Sequence, residues 1–197
     1  MFGDQQLEFH VSTYSRIQRQ QLLQEVEGYL DLVMVLSDRY PLSVASRDGI
    51  AKRALGTLRR LEPETRESAI ALHLKGQAYR VMERYDEAIE PLKAAKEAEP
   101  ENFHILLALG WCYKRVHKID AAIQVLEDAL AVCPDEAIIH FNLACYWSLA
   151  NNVPLALVYL AQSFDLDPKY RDMVQDEADF DPLRNHPEFV ALTSVIV

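Results

Sequence analysis

Residues 103–136, FHILLALGWCYKRVHKIDAAIQVLEDALAVCPDE, decide the fold. Their apolar positions recur at three- and four-residue intervals, which predicts two amphipathic helices joined by a short turn. The flanking sequence repeats the pattern: Gly76, Gly110 and Ala144 align, as do Tyr79, Tyr113 and Trp147, Ala88, Ala122 and Ala156, Leu92, Leu126 and Leu160, and Pro100, Pro134 and Pro168, each step being 34 residues. A period of this length is the mark of stacked helix-turn-helix units, an all-α solenoid in which no unit buries its apolar face alone.

Each repeated residue type has a physical reason. Gly or Ala on the first helix and Ala on the second let two axes approach closely, while Tyr79, Tyr113 and Trp147 fill the space beside them. A change such as Gly110→Leu is expected to overpack the pair and cost roughly 1–3 kcal/mol. Asp86 and Asp120 are expected as N-caps of the second helices, with Pro154 replacing that device through the N1 proline preference. Pro100, Pro134 and Pro168 then end those helices by removing a donor and restricting the preceding residue.

With these residues at these offsets, residues 69–168 resemble the tetratricopeptide repeat. Lys75, His140 and Ser163 depart from the residue types of the neighbouring units without breaking the helical period. The resemblance implies a right-handed superhelix of antiparallel helix pairs, with repeats over 69–102, 103–136 and 137–168. Ahead of these, 15–68 reads as a degenerate helix pair acting as an N-terminal cap, and 169–197 as C-terminal capping helices. In the first of these, Leu22, Leu23, Val26, Tyr29, Leu30, Val33 and Met34 share a helical face that should stop by Tyr40-Pro41, and a second helix runs from Ser46 to about Leu61. Pro63 precedes Leu72 by three residues more than Pro100 precedes Leu106, so the stacking should be perturbed there. Residues 1–14 read as an N-terminal arm: the alternation of Leu7, Phe9 and Val11 would suit a short strand or an extended segment, and a loosely ordered terminus is the reading set beside it. Beyond Pro168, helices are expected over 169–178 and 187–195. The run 179–192, DFDPLRNHPEFVAL, is similar to tails of bacterial-type tetratricopeptide proteins.

Composition narrows the function. A chain of 197 residues, 50% hydrophobic and 25% charged, can bury a sizeable core. Its net charge of -10 opposes a role built on phosphate neutralisation, so neither nucleic acid nor an anionic membrane is an expected partner. Cys112, Cys133 and Cys145 show no paired spacing, the start has no secretory pattern, and no apolar run reaches the length of a membrane span; a reducing cytoplasm is expected. The six histidines form no zinc spacing, and neither a nucleophile elbow nor a glycine-rich phosphate loop is present, so we expect no enzyme, no metal and no cofactor. Asp176, Glu177, Asp179 and Asp181 lack the spacing of a calcium loop and read as a solvated face. His140, at an apolar repeat position, reads as a hydrogen-bonded core histidine, and Cys145 as packing.

In the family the first helices line a concave groove. Carried onto this sequence, the groove positions are His73, Gln77 and Arg80 with Ile70 and Val81; His104, Leu107, Trp111, Lys114 and Arg115; and Ile138, Phe141, Cys145, Ser148 and Leu149. Trp111 and Phe141 would anchor apolar side chains, and Lys114 and Arg115 would meet acidic ones. The clamp by which some members grip a chaperone's C-terminal carboxylate is absent, since His73, Gln77, Ala108, Ile138 and Asn142 stand at its positions. The expected function is a protein-protein interaction module of adaptor or co-chaperone type. Three alternatives stay open: a dedicated chaperone of a secreted protein, a homodimer docking through Leu7, Phe9 and Val11 or through 195–197, and a groove covered by the chain's own N-terminal arm or cap helices.

Overall fold

The structure, a computed structural model, describes residues 2–40 and 42–194, the side chains of 2–14 and 37–39 excepted. Every regular element among the described residues is helical. The chain divides into two compact units, Met1–Glu99 and Pro100–Val197.

The first unit begins with α1, Phe2–Arg39, which packs on α2, Val44–Leu58. Leu22, Val26 and Leu30 of α1 close on Ala51, Ala54, Leu55 and Leu58 of α2, and Ala71, Leu74 and Ala78 complete the cluster. Met34 departs from expectation, being 48% exposed, because it lies one residue past the stripe that Val33 ends. The extended arm is also corrected: the backbone is helical from Phe2 onward. Leu7 and Val11 satisfy an i, i+4 spacing as well as an alternation, and no proline interrupts growth from the helix that follows. The strip at Leu7, Phe9 and Val11 lies outside the described side chains.

Between α2 and the next pair, the three extra residues are absorbed by a single helical turn, α3, Pro63–Arg66. Pro63 opens it at N1, where its missing donor costs nothing. The pair α4, Ala69–Val81, and α5, Tyr85–Ala98, follows, with Ala88, Leu92 and Ala95 wholly buried against α4.

The second unit holds two pairs: α6, Phe103–Arg115, with α7, Ile119–Val132, and α8, Ala137–Leu149, with α9, Val153–Leu166. First helices have 13 residues and second helices 14 in all three pairs. The second helices end two residues before Pro100, Pro134 and Pro168.

The turn inside each pair is built the same way. Glu83, His117 and Asn151 adopt left-handed φ values of 59°, 60° and 57°. The next amide then bonds back across the turn: Arg84 N–H to Tyr79 O, Lys118 N–H to Tyr113 O and Asn152 N–H to Trp147 O, each at 2.9 Å. Glu83, His117 and Asn151 themselves donate to Arg80, Lys114 and Ser148 carbonyls. This is a Schellman closure, which satisfies the last carbonyls of each first helix.

It also corrects the caps. Arg84 and Lys118 occupy the cap positions of α5 and α7, and Asp86 and Asp120 stand in the first turns. There they favour the positive end of the helix dipole instead of bonding an amide. Asn152 caps α9, its Oδ1 accepting from Leu155 N–H at 3.2 Å, with Pro154 one position further in than expected.

After Pro168 the expected ten-residue helix is only α10, Lys169–Met173. Arg184 stops it by donating to the carbonyls of Val174, Gln175 and Glu177. A 3-10 helix, Ala178–Leu183, and α11, Pro187–Thr193, complete the unit. Residues 195–197, one of the expected docking strips, lie outside the described residues.

Candidate functional site

In the first unit, three expected groove residues form a ladder on one face of α4. The Gln77 amide donates to His73 Nε2 at 2.9 Å, and Arg80 Nη1 donates to Gln77 Oε1 at 2.5 Å. Their i, i+4, i+7 spacing puts them on one face, and all three are half-buried. Ile70, one turn earlier, is 43% exposed.

The second unit carries the remaining candidates. On α6, His104 is exposed, its ring 4.0 Å from that of Phe103, and Leu107 is half-buried. Trp111 is half-buried beneath the guanidinium of Arg115, which lies 5.4 Å from its ring centroid. That stacking uses the cation's attraction to the ring face and presents a charged, flat surface at the rim. Lys114 does not present its charge outward. Its ammonium meets the Asp179 carboxylate at 2.6 Å, with both side chains only 15% exposed.

On α8 the expectation needs correcting. Phe141 and Cys145 are 3% and 2% exposed, so neither offers a surface. The chain's own 3-10 helix lies on this face. Phe180 packs edge-on against Phe141 with centroids 5.6 Å apart, Tyr170 stands 5.0 Å away on the same ring, and Ser148 donates to Asp179 O at 2.7 Å. The sequence did carry a signal for this cover. The segment AIIHFNLACYWSL of α8 contains no charged residue, and a helix without a polar face is one covered all round.

Burial pushes the Cys145 thiol well above its ordinary value, and Glu177 and Asp179 push it further, against the pull of Lys114. Cys145, Glu177 and Asp179 bring ligand-type atoms within 4.8 Å of one another. The positive charge beside them is the Lys114 ammonium, so a lysine already answers the cluster's charge. Asp179 is therefore not part of a solvated acidic face, although Asp176 and Asp181 are exposed. His140 is buried and bonded at both ring nitrogens, to Pro134 O at 2.7 Å and to Gln162 Oε1 at 3.1 Å.

Beside the Lys114–Asp179 pair a cleft of about 470 Å³ opens, lined by Lys114, Arg115, His117, Ile119, Leu149 and Asp179. Three basic side chains and two aliphatic ones meet there around a single acid.

Paired helices at a 34-residue period, a small residue at each crossing and a Schellman turn in each pair define a tetratricopeptide-repeat protein, an α-solenoid protein-binding scaffold. The family model described as the Psidin N-terminal TPR repeats region matches residues 47–150, more than half of the chain, and the chain belongs to that family. No curated protein matches it. Solved structures of MamA share the fold. MamA MSR-1 is 21% identical with a TM-score of 0.58, covering 80% of this chain and 98% of its own. MamA AMB-1 is 22% identical with a TM-score of 0.58, covering 80% and 93%. No described helix is long and apolar enough to cross a membrane.

Proposed function

We propose that the chain is an interaction module of adaptor or co-chaperone type that binds a peptide or helix of a protein partner on the first-helix face of its second unit. The observation that carries this reading is the rim formed by Trp111 and Arg115 next to the open cleft. A half-buried indole under a guanidinium can hold an apolar side chain on one side and an acidic one on the other. The cleft's Ile119 and Leu149 extend the apolar part, and His117 and Arg115 extend the basic part. A negatively charged protein that gathers basic groups at one cleft favours an acidic partner segment there. Lys114, expected to serve the partner directly, supports the site from within through Asp179.

The test is affinity capture from the source lysate with the wild-type chain, Trp111→Ala and Arg115→Glu side by side, bound proteins being identified by mass spectrometry. A partner held by wild type and lost from both variants, which keep their thermal stability, supports the reading. Equal capture by all three overturns it. Light scattering on the same preparations reads the oligomeric state, and a stable dimer insensitive to Trp111→Ala favours self-association through another face.

A further inference from the structure

The segment covering α8 is held by contacts that a peptide from another molecule could make. Lys114 takes the Asp179 carboxylate, Ser148 donates to the Asp179 main-chain carbonyl, and Phe141 receives the Phe180 ring. Its local structure is a single short 3-10 helix of six residues, entered through a bond from Phe180 N–H to Glu177 O at 3.2 Å and left through one from Arg184 N–H to Asp181 O at 3.4 Å. Short 3-10 turns with bonds of this kind contribute little stability of their own. Docked side chains hold the segment in place.

We infer that Ala178–Leu183 is an internal stand-in for the partner, and that the partner presents an acidic residue directly followed by an aromatic one, seated on Lys114, Ser148 and Phe141 in place of Asp179 and Phe180. The inference rests on the reading of the second unit as a peptide-binding face. Its logic is exchange. Lifting the segment exposes Phe180, now wholly buried, and leaves Lys114 and Ser148 without their acceptors. A ligand shifts such an equilibrium only by what it offers the open state. A segment that returns one carboxylate, one carbonyl and one ring restores what was lost, whereas an aliphatic or basic segment does not. The cleft beside Asp179, with Arg115 and His117 on its walls, gives an incoming acidic chain a foothold before the internal segment leaves.

The probe is a fluorescein-labelled peptide, DEADFDPLR, copying residues 176–184, with a control in which its Phe is replaced by Ser. Anisotropy is measured on the full chain, on Phe180→Ser and on Asp179→Lys, the last of which keeps the aromatic core and opens the segment by repulsion from Lys114. Apparent affinity scales with the open fraction, so both variants are expected to bind the peptide about tenfold or more tighter than wild type. The Ser control should lose that gain. Adding Lys114→Glu to Asp179→Lys, which restores an ion pair of reversed sense, should return binding to the wild-type level.

Circular dichroism and thermal melts establish folding. Folded variants that bind no better than wild type, or that bind both peptides equally, overturn the inference. So does loss of cooperative melting in both variants, because a segment the fold cannot release is not displaceable. The two readings fail separately. Trp111-dependent capture with no peptide binding to any folded variant leaves the binding face standing and sinks the stand-in. Peptide binding without Trp111-dependent capture does the reverse.

Discussion

Leu92 closes directly over Gly76: a Cβ at position 76 would stand 2.5 Å from Leu92 Cγ and 2.7 Å from Cδ2, and Leu92 is wholly buried. At the equivalent crossing of the next pair, a Cβ on Gly110 would meet Leu126 at 3.2 and 3.3 Å, tight but close to ordinary contact. In the third pair Ala144 already carries the methyl group.

Gly76→Ala is therefore expected to lower stability by about 1–2 kcal/mol, overpacking outweighing the gain in helix propensity. Gly110→Ala should stay within about 0.5 kcal/mol of wild type, because a propensity gain near 1 kcal/mol offsets a small adjustment of Leu126. Urea unfolding of the two variants decides; equal effects would mean that the crossings are equally close.

Left-handed residues other than glycine store strain in the turns. His117→Gly is expected to stabilise the chain by about 1 kcal/mol, since the Cβ is removed from a left-handed position. Asn151→Gly should change little, because asparagine tolerates that region. A destabilised His117→Gly in the same unfolding assay would show that the His117 side chain contributes more than its backbone strain costs.

The ion pair between Lys114 and Asp179 is largely shielded from water, with Cys145 and Glu177 close by. Lys114→Met leaves the carboxylate without its partner and is expected to cost about 2 kcal/mol. The double variant Lys114→Met with Asp179→Asn should recover most of it. A double-mutant cycle with no coupling would mean that the pair does not hold the segment.

Cys133 is half-exposed, and Cys112 and Cys145 are buried. In native protein an aromatic disulfide reagent should titrate Cys133 alone, the other two reacting only after denaturation. Cys145 also gives the fold a pH dependence. Its thiol value is raised in the folded state, so the stabilisation is complete below its unfolded value near 9.0 and is lost as pH rises beyond it. Tyr159 and Tyr170 are raised for the same reason, burial, and act in the same direction at higher pH. Unfolding midpoints followed from neutral to about pH 10 should fall less steeply in Cys145→Ala than in wild type. Parallel curves would locate the alkaline loss elsewhere.

The helix pairs were legible because their signature residues do local work: Gly110 and Ala122 set a crossing, and Pro134 ends a helix wherever it stands. The Asp caps were misplaced by two residues because nothing in the sequence announces a left-handed glutamate or histidine, so the turns looked longer than they are. Leu7, Phe9 and Val11 fit two periods at once, and alternation over so few residues does not outweigh continuity with a helix that follows. The site was half legible. The offset that the family resemblance implies picks out Trp111, Arg115, Phe141 and Cys145 on the first helices, but it does not say what fills the space in front of them. Only the missing charges of α8 told of its cover, and Asp179 and Phe180 sit in a segment too short and acidic to read as a partner for that helix.

Glu83, His117 and Asn151 share no chemistry, yet they hold one backbone shape at one spacing. The meter of the chain is thus kept by main-chain bonds and not by any one type of side chain at the turns. What cannot drift is length. One residue added at 116–118 would rotate α7 by about 100° about its axis and carry Ala122, Leu126 and Ala129 off the face they fill. Evolution of such a chain should tolerate many changes of spelling at its turns and almost none of syllable count.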